Sequence, residues 1–329
     1  AQESRGLGDV YKRQAWGGWI MTDRRKTLEM DFAYTYTIII PHKNIPLLLQ
    51  RCLDSIPLRQ DIQVVIVDDN SSPAVVDFDN FPGSERKDTE IIHTSESKGA
   101  GYARNCGLAV AKGRWLLFAD ADDFFLPGFL DVLDTFALTD YDMIVFRAES
   151  TDSDTLRQVE SRQEYYGRIR EDADWEALRY KNGVPWAKMI SASLVRNHRI
   201  RFDETPAGND VMFSASSDYY ARKPALCSQA IYCATVRKNS LYYGVVLENL
   251  LARVRVSCRY NRFMRKIGER DKRVNRYYYV QLCRKHFGWR GYLKAVWIYT
   301  RMECPDMVYE TFSGLLSAKL KKCLCQNPA

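Results

Sequence analysis

The chain has 329 residues, 46% of them hydrophobic, with 48 Lys+Arg against 41 Asp+Glu and a net charge of +7. That length and apolar content exclude a disordered chain and suffice for one large α/β domain or two smaller ones. With no apolar run long enough to cross a bilayer and no signal-peptide pattern at the start, the expected location is the cytoplasm.

Residues 1–20 are set apart from the fold, because Asp9–Gln14 reads as the translation of a transposase adapter oligonucleotide; Met21 or Met30 is the expected natural start. The first strand is the β-branched run Tyr36–Ile40, ended by Pro41. Leu47, Leu48, Leu49, Cys52, Leu53 and Ile56 then recur at helical spacing. Ile62–Val67 is a buried strand that breaks into Asp68-Asp69-Asn70-Ser71, so strand, helix and strand form a parallel crossover unit. Ile91-Ile92 begins a third strand. The Gly-rich loop Lys98-Gly99-Ala100-Gly101 opens a helix that Gly113 is expected to end. Trp115–Phe118 is the fourth strand, Met143–Phe146 a fifth and Ile231–Val236 the last; short helices are expected after Trp186 and after Asp210. The nine cysteines show neither metal spacing nor a secreted-scaffold pattern and read as reduced thiols.

The fourth strand runs straight into Asp120, Asp122 and Asp123, three carboxylates within four positions. Like charges this close repel, and burying one unpaired is costly. Two readings fit: a solvated turn in which Asp122 or Asp123 caps a helix starting near Pro127, or an acidic cluster that holds a cation. Polar or acidic clusters also follow the earlier strands at their carboxyl ends, where open α/β sheets bind ligands.

Taken in order, Thr37–Asn44 (TIIIPHKN), VVIVDDNSS, KGAGYARNCGL, LLFADADD and the later GND resemble the family 2 glycosyltransferases of bacterial surface-polysaccharide synthesis. The resemblance spans roughly Thr37 to Leu241. It implies an α/β GT-A nucleotide-sugar-binding fold, a Rossmann-like, mostly parallel sheet flanked by helices, over residues 34–246. A helical C-terminal extension occupies 247–329. The implied activity is metal-dependent, inverting transfer from a nucleotide sugar, a UDP-sugar, to a saccharide or lipid-linked acceptor. Asp120 and Asp122 match the DxD that holds Mn2+ or Mg2+, hard ions suited to oxygen ligands, and Asp123 either supports those ligands from behind or accepts from a sugar hydroxyl. Asp68 and Asp69 match the acidic pair on base and ribose, while Pro41, His42 and Asn44 line the uridine pocket. Gly99 and Gly101 allow close backbone approach, and Arg104 reaches base or phosphate. Where the family has Asn two positions before the first Gly, this chain has Ser97. Asp210 matches the general base, with Asn209 replacing the family's Glu. Trp186 and Lys188 match a Trp-x-Lys segment beside the sugar, with core packing an equally good account of Trp186, and Arg237 and Ser240 match a basic loop that closes on the diphosphate.

Two other functions compete with this one. A nucleotidyltransferase usually carries a Gly-rich basic loop directly after its first strand, where this chain has Pro41-His42-Lys43-Asn44. Retained Asp120, Asp122 and Asp210 argue against a non-catalytic sugar-nucleotide-binding homologue, and Asn209 in place of the family's Glu keeps that alternative open. Charge adds one further expectation. Residues 251–329 hold 18 Lys+Arg against 5 Asp+Glu, a net +13 that leaves residues 1–250 at −6 of the total +7. Interleaved with aromatics, this tail suits a solvated helical face or an anionic membrane surface at the inner face of the cell membrane; no nucleic-acid module accompanies it.

Overall fold

The β-branched run at Thr37–Ile40 lies at the centre of a mixed eight-stranded sheet, in a computed structural model that describes residues 32–159, 163–237, 245–275 and 277–303. In chain order the first half comprises β1 (Tyr34–His42), α1 (Pro46–Asp54), β2 (Ile62–Asp68), β3 (Thr89–His93), α2 (Ala100–Val110), β4 (Gly113–Phe118), β5 (Phe124–Phe125) and α3 (Phe129–Asp134). The second half comprises β6 (Met143–Asp152), α4 (Gln163–Tyr166), α5 (Trp175–Leu178), β7 (Lys188–Ser191), α6 (Ala192–Asn197), α7 (Val211–Tyr220), β8 (Pro224–Val236), α8 (Leu247–Lys266) and α9 (Tyr277–Glu303). The N-terminal segment expected to be non-native lies outside the described residues.

The sheet order is β3-β2-β1-β4-β7-β6-β8-β5. The first four strands in that order run parallel, and β2 is buried at every position, as a strand covered by helices on both faces must be. The chain winds outward from β1 through β2 to β3 and then returns through α2 to β4 on the other side of β1, so its winding direction changes there. The two crossovers therefore leave a crevice at the carboxyl ends of β1, β2 and β4. Register makes those ends nearly flush: His42 pairs with Asp68 and Ile39 with Phe118, which brings Asp120 level with Pro41. The C-terminal helices join the same body. Tyr260 and Met264 of α8 pack on Ala215 of α7, and α8 and α9 share a core of Val254, Cys258, Cys283, Ala295 and Ile298.

Several expectations shift. β1 continues through Pro41 to His42, because Pro41 lies past the last β1–β4 pair, where a missing N–H is tolerated. Neither Asp122 nor Asp123 caps a helix: α3 starts at Phe129 behind Gly128, which adopts a left-handed conformation with φ 77°. No local pattern announces β5 and β7, two and four residues long and held by antiparallel pairing to distant strands. β8 begins at Pro224, seven residues earlier than expected, with a register shift opposite Arg147.

Gly113 opens β4 rather than ending α2. A Cβ there would lie 2.5 Å from the Thr37 backbone nitrogen, and the Gly113 N–H donates to Thr37 Oγ1 at 2.8 Å. Glycine is required because two backbones meet, not because a helix stops. Gly113→Ala is therefore expected to lower the unfolding free energy by about 1–3 kcal/mol, read from urea unfolding, through overpacking against main chain that has little room to move. An unchanged midpoint would contradict this.

Candidate active site

Two neighbouring aspartates at the end of β2 have different tasks. The Asp68 carboxylate is buried and faces inward, meeting His42 Nδ1 at 2.8 Å, Ser71 N at 3.0 Å and Ser71 Oγ at 2.5 Å. The Ile45 N–H donates to His42 Nε2 at 3.2 Å, so the ring's proton sits on Nδ1 and is donated to Asp68. Burial pushes Asp68 upward, but the hydrogen bonds from His42 and Ser71 outweigh it and hold the carboxyl below the ordinary range. Asp68 thus braces the loop. Asp69 is also buried; its Oδ2 accepts from Gly99 N at 2.9 Å and Lys43 Nζ at 3.3 Å, while Oδ1 has no partner among the described residues. An unmatched buried acceptor is costly unless a ligand donor completes it.

The surrounding loops are fixed by backbone constraints. Asn44, with φ 56°, donates its N–H to Ser71 Oγ at 2.8 Å and accepts from Ser72 N at 2.7 Å. Ser97 adopts φ 49°, a region that favours Asn over Ser, which gives the family's usual Asn at this position a physical reason. At Gly101 a Cβ would fall 2.0 Å from the Asp203 carbonyl oxygen, so close helix–loop packing demands the glycine.

The carboxylate turn is held by three arginines and one tyrosine. Arg104, buried and stacked 5.3 Å over Phe202, donates Nη2 to Asp120 Oδ1 and Nη1 to Asn209 Oδ1 at 2.9 Å. Arg237 Nη2 lies 3.4 Å from Asp122 Oδ2, and Arg51 donates to the Asp122 carbonyl at 2.6 Å. Burial, followed by the charge of Asp120, pushes the Asp122 carboxyl up despite Arg237. Burial pushes Asp123 much further, helped by Asp120 and Asp122. Both Asp123 oxygens are engaged within the fold, Oδ1 by Thr235 N at 2.7 Å and Oδ2 by Tyr232 OH at 2.8 Å. The same Tyr232 oxygen accepts from Asp120 N at 2.9 Å.

Arg104 also joins this turn to the loop before α7. Asp210 sits at the N-cap of α7, with its carbonyl accepting from Ser214 N at 2.9 Å; its side chain makes no capping hydrogen bond. Trp186 and Lys188, expected beside a sugar, are both buried. Trp186 stacks between Tyr166 and Tyr232, and Lys188 pairs with Asp218 at 3.3 Å. Ser240 lies outside the described residues. Arg51 and Tyr232 escaped the sequence reading, which named Asn209 only as the residue in place of the family's Glu. Only Tyr232 carried a signal, a hydroxyl inside a buried strand that needs a partner.

Residues 37–199 match the family model described as glycosyl transferase family 2. The chain belongs to that family. It is 23% identical over 250 residues to EpsH of Bacillus subtilis (strain 168), a protein named as a glycosyltransferase; the match covers 73% of this chain and 72% of EpsH. It is 24% identical over 218 residues to the poly(ribitol-phosphate) beta-glucosyltransferase of Bacillus spizizenii, covering 64% of this chain and 33% of that protein, so this family member spans about a third of that relative. Among solved structures, S. aureus TarS 1–349 in complex with UDP-GlcNAc superposes with a TM-score of 0.55 at 18% identity, covering 84% of this chain and 92% of that one. The Pyrobaculum calidifontis mannosyltransferase PcManGT, in complex with GDP-Man and Mn2+, gives 0.51 at 14% identity, covering 87% and 81%. These likenesses establish the fold as GT-A-like, with a helical C-terminal part.

In this family member the Tyr232 hydroxyl ties two carboxylate-turn residues to β8. Tyr232→Phe leaves Asp123 Oδ2 and the Asp120 N–H without that partner and is expected to cost about 1–3 kcal/mol in urea unfolding. Wild-type stability would show that the turn is held without it.

Proposed function

We propose that this glycosyltransferase is inverting and divalent-metal-dependent, and moves a sugar from a UDP-sugar to a hydroxyl of a saccharide or lipid-linked acceptor in surface-polysaccharide synthesis. The observation that carries the reading is the pairing of carboxylates and guanidiniums at one strand end: Asp120 with Arg104, and Asp122 with Arg237. Such a site offers anionic ligands to a cation and cationic partners to a diphosphate. The Asp122 carboxyl, pushed up by burial and by Asp120, has more negative neighbourhood than its arginine balances, which suits Mn2+ or Mg2+. Among the described residues no group of three His, Cys, Asp or Glu side chains could hold a metal ion, so on this reading Asp120 and Asp122 would hold it together with the bound donor.

Each residue then has a task. Asp69 Oδ1 accepts a hydrogen bond from the base or ribose, against backbone at Pro41 and His42. Held by Asp120 and Asp122, a divalent cation would supply Lewis-acid stabilisation of charge growing on the diphosphate. Arg237 shifts from Asp122 onto the diphosphate, where Ser240, three positions on in the sequence, is its expected companion. Asp210 takes the proton of the acceptor hydroxyl; that oxygen forms its bond to the anomeric carbon as the bond to UDP breaks on the opposite face, and UDP leaves with the electron pair. UDP as the nucleotide is supported by TarS, crystallised with UDP and with UDP-GlcNAc, and the pathway by a relative named as a poly(ribitol-phosphate) beta-glucosyltransferase. The reading places residues 34–246 as the transferase domain, 247–329 as its C-terminal region, and the reaction in the cytoplasm against the membrane.

Two substitutions test the chemistry. Asp122→Ala is expected to keep the fold and to abolish at least tenfold of Mn2+-dependent gain in UDP affinity, measured by calorimetry with and without the metal; equal gains in parent and variant would contradict the metal assignment. Asp210→Asn keeps size and most hydrogen bonding but removes the proton acceptor. Turnover, followed as UDP release from a panel of UDP-sugars with extracted lipid acceptors, is expected to fall at least about a hundredfold with near-normal donor affinity. A change of only a few-fold would place the base elsewhere.

A further inference from the structure

α9 is two helical runs merged across Gly288, whose φ of 60° and ψ of −154° break the helix. In the second run, successive residues turn by about 100°, which allows its surface to be mapped. Taking Trp289 as the origin, Gly291, Ala295, Ile298 and Tyr299 occupy an arc of roughly 180–280°, and all four are buried. That arc faces α8. A surface helix needs only one apolar face, and the rest of its circumference is normally polar. Here the opposite side carries Trp289, Leu293 and Trp297, four residues apart and within roughly 80° of one another. They are 63%, 61% and 58% exposed.

Beside this apolar stripe lies a basic one. Arg290, Arg301 and Lys294 fall at roughly 100°, 120° and 140° on the same wheel, and all are exposed. Arg284 stacks 4.6 Å from the Trp289 ring and Arg301 5.1 Å from the Trp297 ring, so guanidinium charge lies directly on the apolar stripe. The sequence of α9 contains a single carboxylate, Glu303, at its last position, and none of these basic side chains has an ion-pair partner among the described residues. Arg255 of α8 lines the groove beside Leu293 and Trp297 and extends the positive field. No helix of the described residues is long and apolar enough to cross a membrane.

We infer that the Trp289–Leu293–Trp297 face of α9 docks in the interfacial zone of an anionic lipid bilayer, with Arg290, Lys294 and Arg301 on the headgroups. Indole and leucine side chains enter the boundary between headgroups and acyl chains, and arginine and lysine reach the phosphates beside them. A helix that spends one arc on its own core and exposes a second apolar arc flanked only by positive charge matches a surface that is apolar beneath and negative above. A second copy of the chain would set this positive face against an equally positive one. The inference gives the proposed lipid-linked acceptor a physical location, but it stands on α9 alone and is tested without turnover.

The test is cosedimentation of the full chain with vesicles of phosphatidylcholine alone and with one-third phosphatidylglycerol, with tryptophan emission recorded in parallel. Binding is expected to the anionic vesicles only, with a blue shift, and to weaken at least tenfold between low and physiological salt. The combined Trp289→Ser, Leu293→Ser and Trp297→Ser variant is expected to lose at least tenfold in vesicle affinity while its UDP affinity stays at the parent value, which separates this claim from the transferase reading. Should that variant fail to fold, Lys294→Glu alone is expected to weaken binding by at least fivefold. Absence of vesicle binding, equal binding to neutral vesicles, or an unaffected triple variant would overturn the inference. So would a self-association detected by sedimentation velocity that the triple variant abolishes.

Discussion

The site depends on one constraint: three carboxylates stand within four residues at the end of a buried strand. Left alone they would repel one another and the apolar wall behind them. The fold answers with positive charge and hydrogen bonds drawn from three distant segments. Arg104 comes from α2, Arg237 from the end of β8, and Arg51 from α1, while Tyr232 bridges Asp123 and the Asp120 backbone. The carboxylates are thereby graded. Asp123 is absorbed into the scaffold, Asp120 is clamped, and Asp122 keeps the weakest tie, a 3.4 Å contact to an arginine at the edge of a loop.

That gradation explains how the crevice works as a unit. Arg104 reaches from the helix behind the Gly-rich loop to Asp120 and to Asn209, one residue before Asp210, so the Gly-rich loop, the carboxylate turn and the loop before α7 share one guanidinium. With Asn at 209, the contact to Arg104 is neutral, which leaves the arginine's full charge to Asp120. On the nucleotide side the division is similar. Asp68 spends its oxygens on His42 and Ser71, and Asp69 keeps one buried oxygen free. In each acidic cluster one member holds the loop and another remains available.

Much of this was legible in the sequence because it lies at strand ends. β1, β2 and β4 announce themselves by β-branched or apolar runs, and the polar residues that follow must lie at their carboxyl ends, where parallel winding opens a crevice. What the sequence could not convey is which groups those residues meet. Lys188 and Asp218 are thirty residues apart and form a buried pair that no local pattern announces. Trp186 reads equally well as a sugar platform or as core, and only its stacking on Tyr166 and Tyr232 decides for core. Gly113 reads as a helix stop because a glycine's reason is invisible until the opposing backbone of Thr37 is in place. The tail's charge was plain, but not that Trp289 and Trp297 share one exposed face of α9 while Tyr299 is buried on the other.

The central claim is that the Asp122–Arg237 contact is the position where a cation and a diphosphate enter together. Crystals grown with UDP and Mn2+ and measured at the manganese absorption edge test it most directly. The account predicts an anomalous peak in direct coordination with Asp122 and with diphosphate oxygens, with Arg237 moved from Asp122 to the diphosphate. UDP bound with the Asp122–Arg237 pair intact, or manganese coordinated away from Asp120 and Asp122, would contradict it.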